Sequence, residues 1–111
     1  MTFLYLNSDK MGQGDLALGQ KLLRSFLNEL AKSNVKIDFI GCVNSGINLT
    51  TKGSEVIDAL EILQQKGARI ATCGTCLDFY DKRNDLMIGE IGTMDQTVKI
   101  MSEAERVISP N

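Results

Sequence analysis

The stretch Thr72-Cys73-Gly74-Thr75-Cys76-Leu77-Asp78-Phe79-Tyr80 holds two of the chain's three cysteines. It lies where a short apolar run, Ala68 to Thr72, gives way to a helix-like segment. A run of this length and composition is typical of a buried strand, and a strand followed by a helix is the repeating unit of a parallel α/β sheet. The stretch therefore predicts that Cys73 ends a buried strand and that both sulfurs lie near the start of the next helix.

Strand-like and helix-like segments alternate along the rest of the chain. Apolar residues spaced by three and four predict helices over residues 15–32, 54–66 and 93–104, with a shorter one over 77–83. Short apolar runs predict strands over residues 2–6, 35–43, 68–72, 86–91 and 107–108. Strands joined through helices pair in parallel, and nearly continuous apolar character marks the first three as central. The sequence thus predicts a three-layer α/β/α fold with a five-stranded parallel sheet.

The helical spacing also predicts which side chains face the sheet. Asp15 lies at the start of the first helix, where the helix dipole favours a carboxylate, and Thr93 with Gln96 has capping-box spacing at the start of the last. Cys42 lies inside a predicted strand and is expected in the core. The positions expected to face inward are Leu16, Leu22, Leu23, Phe26, Leu27 and Leu30 in the first helix, Val56, Leu60 and Leu63 in the second, and Val98, Met101 and Ala104 in the last.

The charge balance excludes some partners. The chain has 111 residues, 12 of them basic and 14 acidic, and its net charge is -2. It has no basic block, so we expect no nucleic-acid partner. The apolar run after Met1 is too short for a signal peptide or a membrane span and has no basic leader, so we expect a cytoplasmic protein with no membrane partner. Cysteines stay reduced in the cytoplasm, where a Cys-x-x-Cys pair points to catalysis, redox chemistry or metal binding.

The absence of histidine limits what the cysteines can do. No Cys-His nucleophile can form, and with only three cysteines a four-ligand zinc site would have to span subunits or recruit carboxylates. A thioredoxin-type dithiol is chemically possible but lacks its neighbouring prolines, because the only proline is Pro110. The glycines at Gly12 and Gly14 do not begin a dinucleotide-binding fingerprint. We expect no metal and no cofactor, which leaves a carrier of sulfur or selenium, or a structural pair of buried cysteines.

Polar pairs follow two further predicted strands, Asn7-Ser8 after the first and Asn44-Ser45 after the second. The carboxyl ends of parallel strands meet at one edge of the sheet, where ligands bind in folds of this class. Asn and Ser also form turns, so a turn-forming role and a ligand-binding role both stay open for these pairs. The candidate substrate-binding residues are Asn7, Ser8, Asn44, Ser45, Gly74 and Thr75.

The two cysteines are expected to have different roles. Cys73 precedes Gly74, which leaves room for another sulfur, and the N–H groups of Thr75 and Cys76 are expected to point toward its Sγ. Cys73 is therefore the predicted attacking thiolate. Cys76 follows one helical turn later and is the predicted resolving partner.

Four blocks of sequence contain most of these residues. They are Leu6-Asn7-Ser8-Asp9-x-Met11-Gly12-x-Gly14-Asp15, Val43-Asn44-Ser45-Gly46-x-x-Leu49-Thr50-Thr51-x-Gly53-Ser54, Cys73-Gly74-Thr75-Cys76-Leu77-Asp78-x-Tyr80 and Gly89-Glu90-x-x-x-Met94. Together they resemble the DsrE-like domain of YedF-type selenium-metabolism proteins over nearly the whole chain. The resemblance implies a DsrE/F-like fold, a homo-oligomer and a role in sulfur or selenium relay. YedF-type chains usually have a TusA-like domain ahead of this one, so residues 1–111 are expected to be a single DsrE-like domain without it.

Two functions remain open at this point. The first is a sulfurtransferase-like carrier that holds a persulfide- or selenide-type species on Cys73 and resolves it with Cys76. The second is a non-catalytic, oligomeric interaction module that docks a TusA-like sulfur carrier protein. A cysteine that is alkylated rapidly at neutral pH would favour the first.

Overall fold

Five strands form one sheet, and helices connect them. The computed structural model describes all 111 residues. No helix is both long enough and apolar enough to cross a membrane. Two 3-10 helices, Asn44–Leu49 and Arg83–Asp85, lie in loops. The other elements, in chain order, are β1 (Thr2–Leu6), α1 (Leu16–Lys32), β2 (Phe39–Cys42), α2 (Ile57–Gln65), β3 (Arg69–Cys73), α3 (Gly74–Phe79), β4 (Glu90–Gly92), α4 (Met94–Glu103) and β5 (Arg106–Ile108).

The sheet is parallel throughout, with the strand order β4-β3-β2-β1-β5. The first three strands occupy its centre, so the predicted α/β fold with a five-stranded parallel sheet is confirmed. Leu6, Cys42 and Thr72 are register partners near the carboxyl ends of the central strands. The chain therefore leaves all three strands at the same edge of the sheet.

One face of the sheet holds the main hydrophobic core, which α1 and α2 cover. Asp15 caps α1 as expected, since its Oδ1 accepts the Leu18 N–H at 2.8 Å. Removing a leucine side chain from water contributes about 1.5–3 kcal/mol. The fully enclosed core side chains include Leu4 and Leu6 of β1, Ile40 and Cys42 of β2, Ile70 of β3, Leu23 and Leu27 of α1, and Leu60 and Leu63 of α2.

The buried strip of α1 is narrower than the sequence predicts. Leu16 and Leu22 were expected to face inward, but their exposed fractions are 57% and 43%. The helix instead turns a strip of Gly19, Leu23, Leu27, Leu30 and Ala31 toward the core. Small Gly19 lets α1 approach the Lys10-Met11 loop, because a Cβ there would lie 3.0 Å from the Lys10 Cβ. Leu16 lies in the first turn of the helix and Leu22 at the edge of the buried strip, and both remain exposed.

The opposite face of the sheet is covered less completely, by α4. The predicted capping box is present, and the Thr93 N–H donates to Gln96 Oε1 at 3.3 Å. No residue of α4 is fully buried. The prediction that Val98 and Met101 face the sheet is wrong, because their exposed fractions are 62% and 37%. Helical spacing identifies residues that share a face, but here the half-buried strip of Thr97, Ile100 and Ala104 is the one that is turned inward.

Polar side chains shift the starts of two elements. β2 begins at Phe39 rather than at residue 35, because Ser33 Oγ accepts the Val35 N–H at 3.2 Å and this N–H is not paired with a neighbouring strand. α2 begins at Ile57 rather than at residue 54, because the Ser54 hydroxyl donates to the Leu49 carbonyl oxygen at 2.6 Å. Both predicted elements exist, and each is shorter than its apolar run suggests.

Two boundaries near the cysteines also differ from the prediction. α3 begins at Gly74 rather than at Leu77, because Cys73 itself caps the helix. β4 spans Glu90–Gly92 rather than residues 86–91. The reason is Gly89, whose φ of 79° lies outside the extended range and turns the chain just before the strand. The loop after α3 is therefore longer than predicted.

Gly46 brings the loop after β2 against the end of β1. A Cβ at this position would overlap the carbonyl oxygen of Leu6, so only glycine fits there without a backbone shift. The approach places the Asn44-Ser45 pair beside the loop that follows β1. Ser45 Oγ accepts the Asp9 N–H at 3.3 Å across this contact. Gly46 therefore holds two of the predicted polar loops together.

Substituting Gly46→Ala should lower the free energy of unfolding by about 1–3 kcal/mol, since the new methyl group overlaps backbone rather than a mobile side chain. Urea denaturation followed by circular dichroism measures the change. Gly14→Ala is the matched control, because a Cβ at Gly14 meets no atom within 4 Å. Equal denaturation midpoints for the two variants would contradict the close-approach argument.

Candidate functional site

The two cysteines of the Cys-x-x-Cys stretch lie at the carboxyl edge of the sheet. Cys73 is the last residue of β3, as predicted, and Cys76 lies in the first turn of α3. Side chains alternate along β3, so Thr72 points into the core while Cys73 points to the α4 side of the sheet. Thr72 Oγ1 is 2.7 Å from Thr50 Oγ1, a buried contact that ties β3 to the loop after β2. Both sulfurs are half-buried and free.

Each of these sulfurs accepts one backbone hydrogen bond. The Cys76 N–H donates to Cys73 Sγ at 3.4 Å, and the Asn44 N–H donates to Cys76 Sγ at 3.2 Å. Because α3 has only six residues, its dipole is small and these two N–H donors are the stabilising contacts that matter. One donor comes from α3 and the other from the loop after β2. The site is therefore built from two neighbouring strand ends.

Asn44 has an unusual backbone conformation. Its φ is 52°, in the left-handed region, which asparagine tolerates better than most residues. Its side chain is also held, since the Tyr80 hydroxyl donates to Asn44 Oδ1 at 3.0 Å. Tyr80 directly follows α3. Asn44 thus contacts the α3 region through both its backbone and its side chain.

Burial and the neighbouring thiol both affect Cys76. Partial burial raises the pKa of the Cys76 thiol, the Cys73 side chain raises it further, and the Asn44 N–H lowers it, with a net upward shift. At neutral pH Cys76 therefore keeps its proton. The nearby guanidinium of Arg83 lies over Gly74, but it donates to both carboxylate oxygens of Asp78 at 2.7 and 3.0 Å. This pairing lowers the pKa of Asp78 and leaves little net positive charge beside the sulfurs.

The third cysteine does not belong to the site. Cys42 is 1% exposed on β2, and burial raises its pKa to about 12. A thiol in this state is inert toward most reagents, because the thiolate is the reactive form. The prediction that Cys42 is a core residue is confirmed.

The other candidate substrate-binding residues divide into two groups. Gly74 is buried and Thr75 is exposed, both beside the cysteines. Ser45 turns away toward Asp9. Asn7 and Ser8 are bonded to Asn111, whose Oδ1 accepts the Asn7 N–H at 3.2 Å and whose Nδ2 donates to the Ser8 carbonyl oxygen at 2.8 Å. The sulfurs are therefore in contact with Asn44 but not with Asn7 or Ser8.

Two openings lie near this edge of the sheet. A small cavity of about 30 Å³ is lined by Cys73, Gly41, Val43, Met94 and Ile100 and is mostly hydrophobic. A larger polar cleft of about 440 Å³ lies between α1 and the loop before α2. It has no cysteine in its lining, so the smaller cavity is the one that concerns the thiol chemistry.

The larger cleft contains a polar chain that the sequence does not predict. Asn48 Nδ2 donates to Asp9 Oδ2 at 3.0 Å, and Lys82 Nζ donates to Asn48 Oδ1 at 2.6 Å. Asp9 and Asn48 follow different strands, and no spacing in the sequence indicates that they meet. The contact between Tyr80 and Asn44 has no sequence signal either, since an aromatic residue at the end of a short helix usually suggests packing. No group of three or more histidine, cysteine, aspartate or glutamate side chains is placed to hold a metal ion.

Comparison with solved structures identifies the architecture. The ychN protein from E. coli superposes with a TM-score of 0.67 at 19% sequence identity, with 97% of each chain covered. MTH1491 from Methanobacterium thermoautotrophicum, described as a protein of unknown function, superposes with a TM-score of 0.68 at 20% identity over 98% of this chain and 97% of its own. The chain has the DsrE/F-like fold. No family model and no curated protein sequence matches the chain.

Native-state alkylation should distinguish the three cysteines. With iodoacetamide at pH 8, intact mass spectrometry should find adducts on the half-buried Cys73 and Cys76 only, whereas denatured protein should add a third on Cys42. The physical reason is that Cys42 is both inaccessible and, with a pKa of about 12, protonated. A Cys42→Ala variant should give the same two adducts, on Cys73 and Cys76, in the native and in the denatured protein. Rapid labelling of Cys42 in the native protein would contradict the assignment of Cys42 to the core.

Proposed function

We propose that the protein is a sulfur or selenium relay protein in which Cys73 accepts a persulfide- or selenide-type species and Cys76 resolves it. The observation that supports this most is the pair of half-buried sulfurs at one sheet edge, each accepting a backbone N–H. Such donors stabilise sulfur anions without a histidine. In this role the protein is a sulfurtransferase-like carrier that needs no cofactor.

The loading step is thiol exchange with a donor persulfide, R–S–SH. The Cys73 thiolate attacks the terminal sulfur, a new bond forms between Cys73 Sγ and that sulfur, and the donor leaves as the thiolate R–S⁻ with the electron pair of the broken bond. The product is Cys73–S–SH. Cys73 is the better candidate for this attack because it borders the small cavity, while partial burial and the Cys73 side chain raise the pKa of Cys76.

The release step uses the second cysteine. Once Cys76 loses its proton, its thiolate attacks Cys73 Sγ and forms a disulfide, and the carried sulfur leaves as hydrosulfide with the electron pair. Two thiol sulfurs are oxidised while the carried sulfur is reduced. In a relay, the thiolate of an acceptor protein can instead attack the terminal sulfur and remove it without oxidising Cys76.

The small cavity beside Cys73 supports storage of the carried atom. Its volume of about 30 Å³ exceeds the roughly 10–15 Å³ that a cavity needs to hold one water molecule, so it can hold one additional atom of similar size. The lining is mostly hydrophobic, which limits access of water to a bound persulfide. A carried selenium atom needs the same kind of space and the same protection from water.

The resemblance to YedF-type proteins adds a partner to this proposal. A TusA-like sulfur carrier protein is the acceptor or donor that fits a relay of this kind, and the cytoplasm is where such thiols stay reduced. Phe79 is 82% exposed at the end of α3 and stacks edge-to-face with Tyr80. An exposed aromatic residue beside reactive sulfurs is well suited to contact an incoming protein.

A second candidate function is a non-catalytic interaction module that forms a homo-oligomer. It is favoured by the apolar side chains that α4 exposes, Met94, Val98 and Met101. A second copy of the chain that packs on α4 would remove these side chains from water. A carrier function and oligomer formation are compatible, because the carrier function uses the cysteines and the oligomer uses the exposed face of α4.

Incubation with a persulfide donor should load one sulfur atom on the wild-type protein, measured as a 32 Da increase by intact mass (the mass of one sulfur atom, about 32). Cys73→Ser should abolish loading because the attacking thiolate is gone. Cys76→Ser should load and retain the atom longer because release is blocked. Cys42→Ala should load like the wild type. Equal loading in all three variants would exclude the carrier mechanism.

Multi-angle light scattering should find an oligomer, and Val98→Glu should shift it toward the monomer because a carboxylate would then be buried without a partner. Lys99→Glu is the matched control, since it places a carboxylate on the adjacent, exposed position of the same helix. A wild-type monomer at high micromolar concentration, or equal dissociation of both variants, would rule out α4 as the interface.

A further inference from the structure

Asn44 connects the end of β2 to the α3 region in two ways. Its backbone N–H donates to Cys76 Sγ at 3.2 Å, and its side-chain Oδ1 accepts the Tyr80 hydroxyl at 3.0 Å. The N–H reaches the sulfur while Asn44 has a φ of 52°. Left-handed backbone is unfavourable for residues with a side chain, and asparagine is among the few that adopt it routinely. For a residue other than glycine this conformation still costs free energy, and the Tyr80 hydrogen bond offsets that cost.

We propose that Tyr80 and Asn44 form a positioning pair, in which the Tyr80 hydroxyl holds Asn44 in its left-handed conformation so that the Asn44 N–H stays on the Cys76 sulfur. The consequence for the proposed relay, on which this inference rests, is that the pair controls the release step rather than the loading step. Neither residue reacts. Both act through the sulfur of Cys76.

The direction of the effect follows from the surroundings of Cys76. Burial and the Cys73 side chain raise the pKa of Cys76, and the Asn44 N–H is the one contact that lowers it. Losing that contact should therefore raise the pKa further and reduce the fraction of Cys76 thiolate at any pH below it.

The charged groups around Cys76 are paired with other residues, so the Asn44 N–H is the contact that lowers the pKa of Cys76. Arg83 and Asp78, on the α3 side, pair with each other. Lys82 donates to Asn48 in the loop after β2. On the β3 and β4 side, Arg69 pairs with Glu90. Cys73 is the ionisable neighbour whose charge raises the pKa of Cys76.

Substitutions at Asn44 separate backbone conformation from side-chain chemistry. Asn44→Ala removes the contact with Tyr80 and also disfavours the left-handed backbone. Asn44→Gly removes the same contact, but glycine adopts a positive φ without strain. Tyr80→Phe removes the contact and keeps the asparagine. If the pair acts through the backbone, Asn44→Gly should resemble Tyr80→Phe, and Asn44→Ala should show the largest effect.

The test is the pH dependence of alkylation of Cys76 by iodoacetamide, measured in a Cys73→Ser background by intact mass. Tyr80→Phe and Asn44→Gly should each raise the apparent pKa of Cys76 by about half a unit, which slows alkylation about threefold at pH 8. Asn44→Ala should raise it by about one unit, a tenfold effect. Tyr5→Phe is the matched control, because Tyr5 is the chain's only other tyrosine and lies in β1.

Two results would overturn the positioning role: an unchanged apparent pKa of Cys76 in Asn44→Ala, or a shift in Asn44→Gly as large as that in Asn44→Ala. A purely structural role would change the unfolding midpoint of Tyr80→Phe without moving the pH profile. The background protein lacks Cys73 and cannot load sulfur, so the result does not depend on whether the wild type is a carrier. If the wild-type protein did not load sulfur, the proposed function would be wrong, but the alkylation test of the positioning pair would still be valid.

Discussion

The parallel register of the three central strands is the constraint on which the rest of the structure depends. Leu6, Cys42 and Thr72 lie side by side, so the residues that follow them emerge at one edge of the sheet. Covering one face with α1 and α2 fixes this register, because a slip of one residue would turn every core side chain to the other face. The carboxyl edge then receives the polar loops and Cys73 together.

The loop after β2 brings Asn44 against Cys76 at this edge of the sheet. Gly46 lets the loop cross directly over the end of β1, and the buried Thr50–Thr72 contact ties it to β3. These two contacts place Asn44 within hydrogen-bond distance of Cys76. Hydrogen bonds to charged groups contribute about 1.5–3 kcal/mol, and that amount is available only when Cys76 is a thiolate. This contact offsets part of the burial effect that raises the pKa of the Cys76 thiol.

The sequence predicts the sheet and the position of Cys73, because strand length, helical spacing and turn residues are local signals. It does not predict which apolar strip of α4 faces the sheet, since the exposed Val98 and the half-buried Ile100 are both apolar and, two residues apart, lie on nearly opposite sides of the helix. It also places Asn44 at the sheet edge without indicating that its backbone N–H reaches a sulfur or that Tyr80 holds it. Those contacts depend on a left-handed residue and on the path of a loop, and neither leaves a periodic pattern.

In the proposed relay, Cys73 is the sulfur that accepts the transferred atom. A high-resolution crystal structure of the protein after incubation with a persulfide donor tests this claim most directly. We expect electron density for one additional atom bonded to Cys73 Sγ, adjacent to the cavity lined by Gly41 and Met94, with Cys76 Sγ still beside the Asn44 N–H. An additional atom on Cys76 with Cys73 unmodified, or two unmodified sulfurs in protein whose mass shows loading elsewhere, would contradict it.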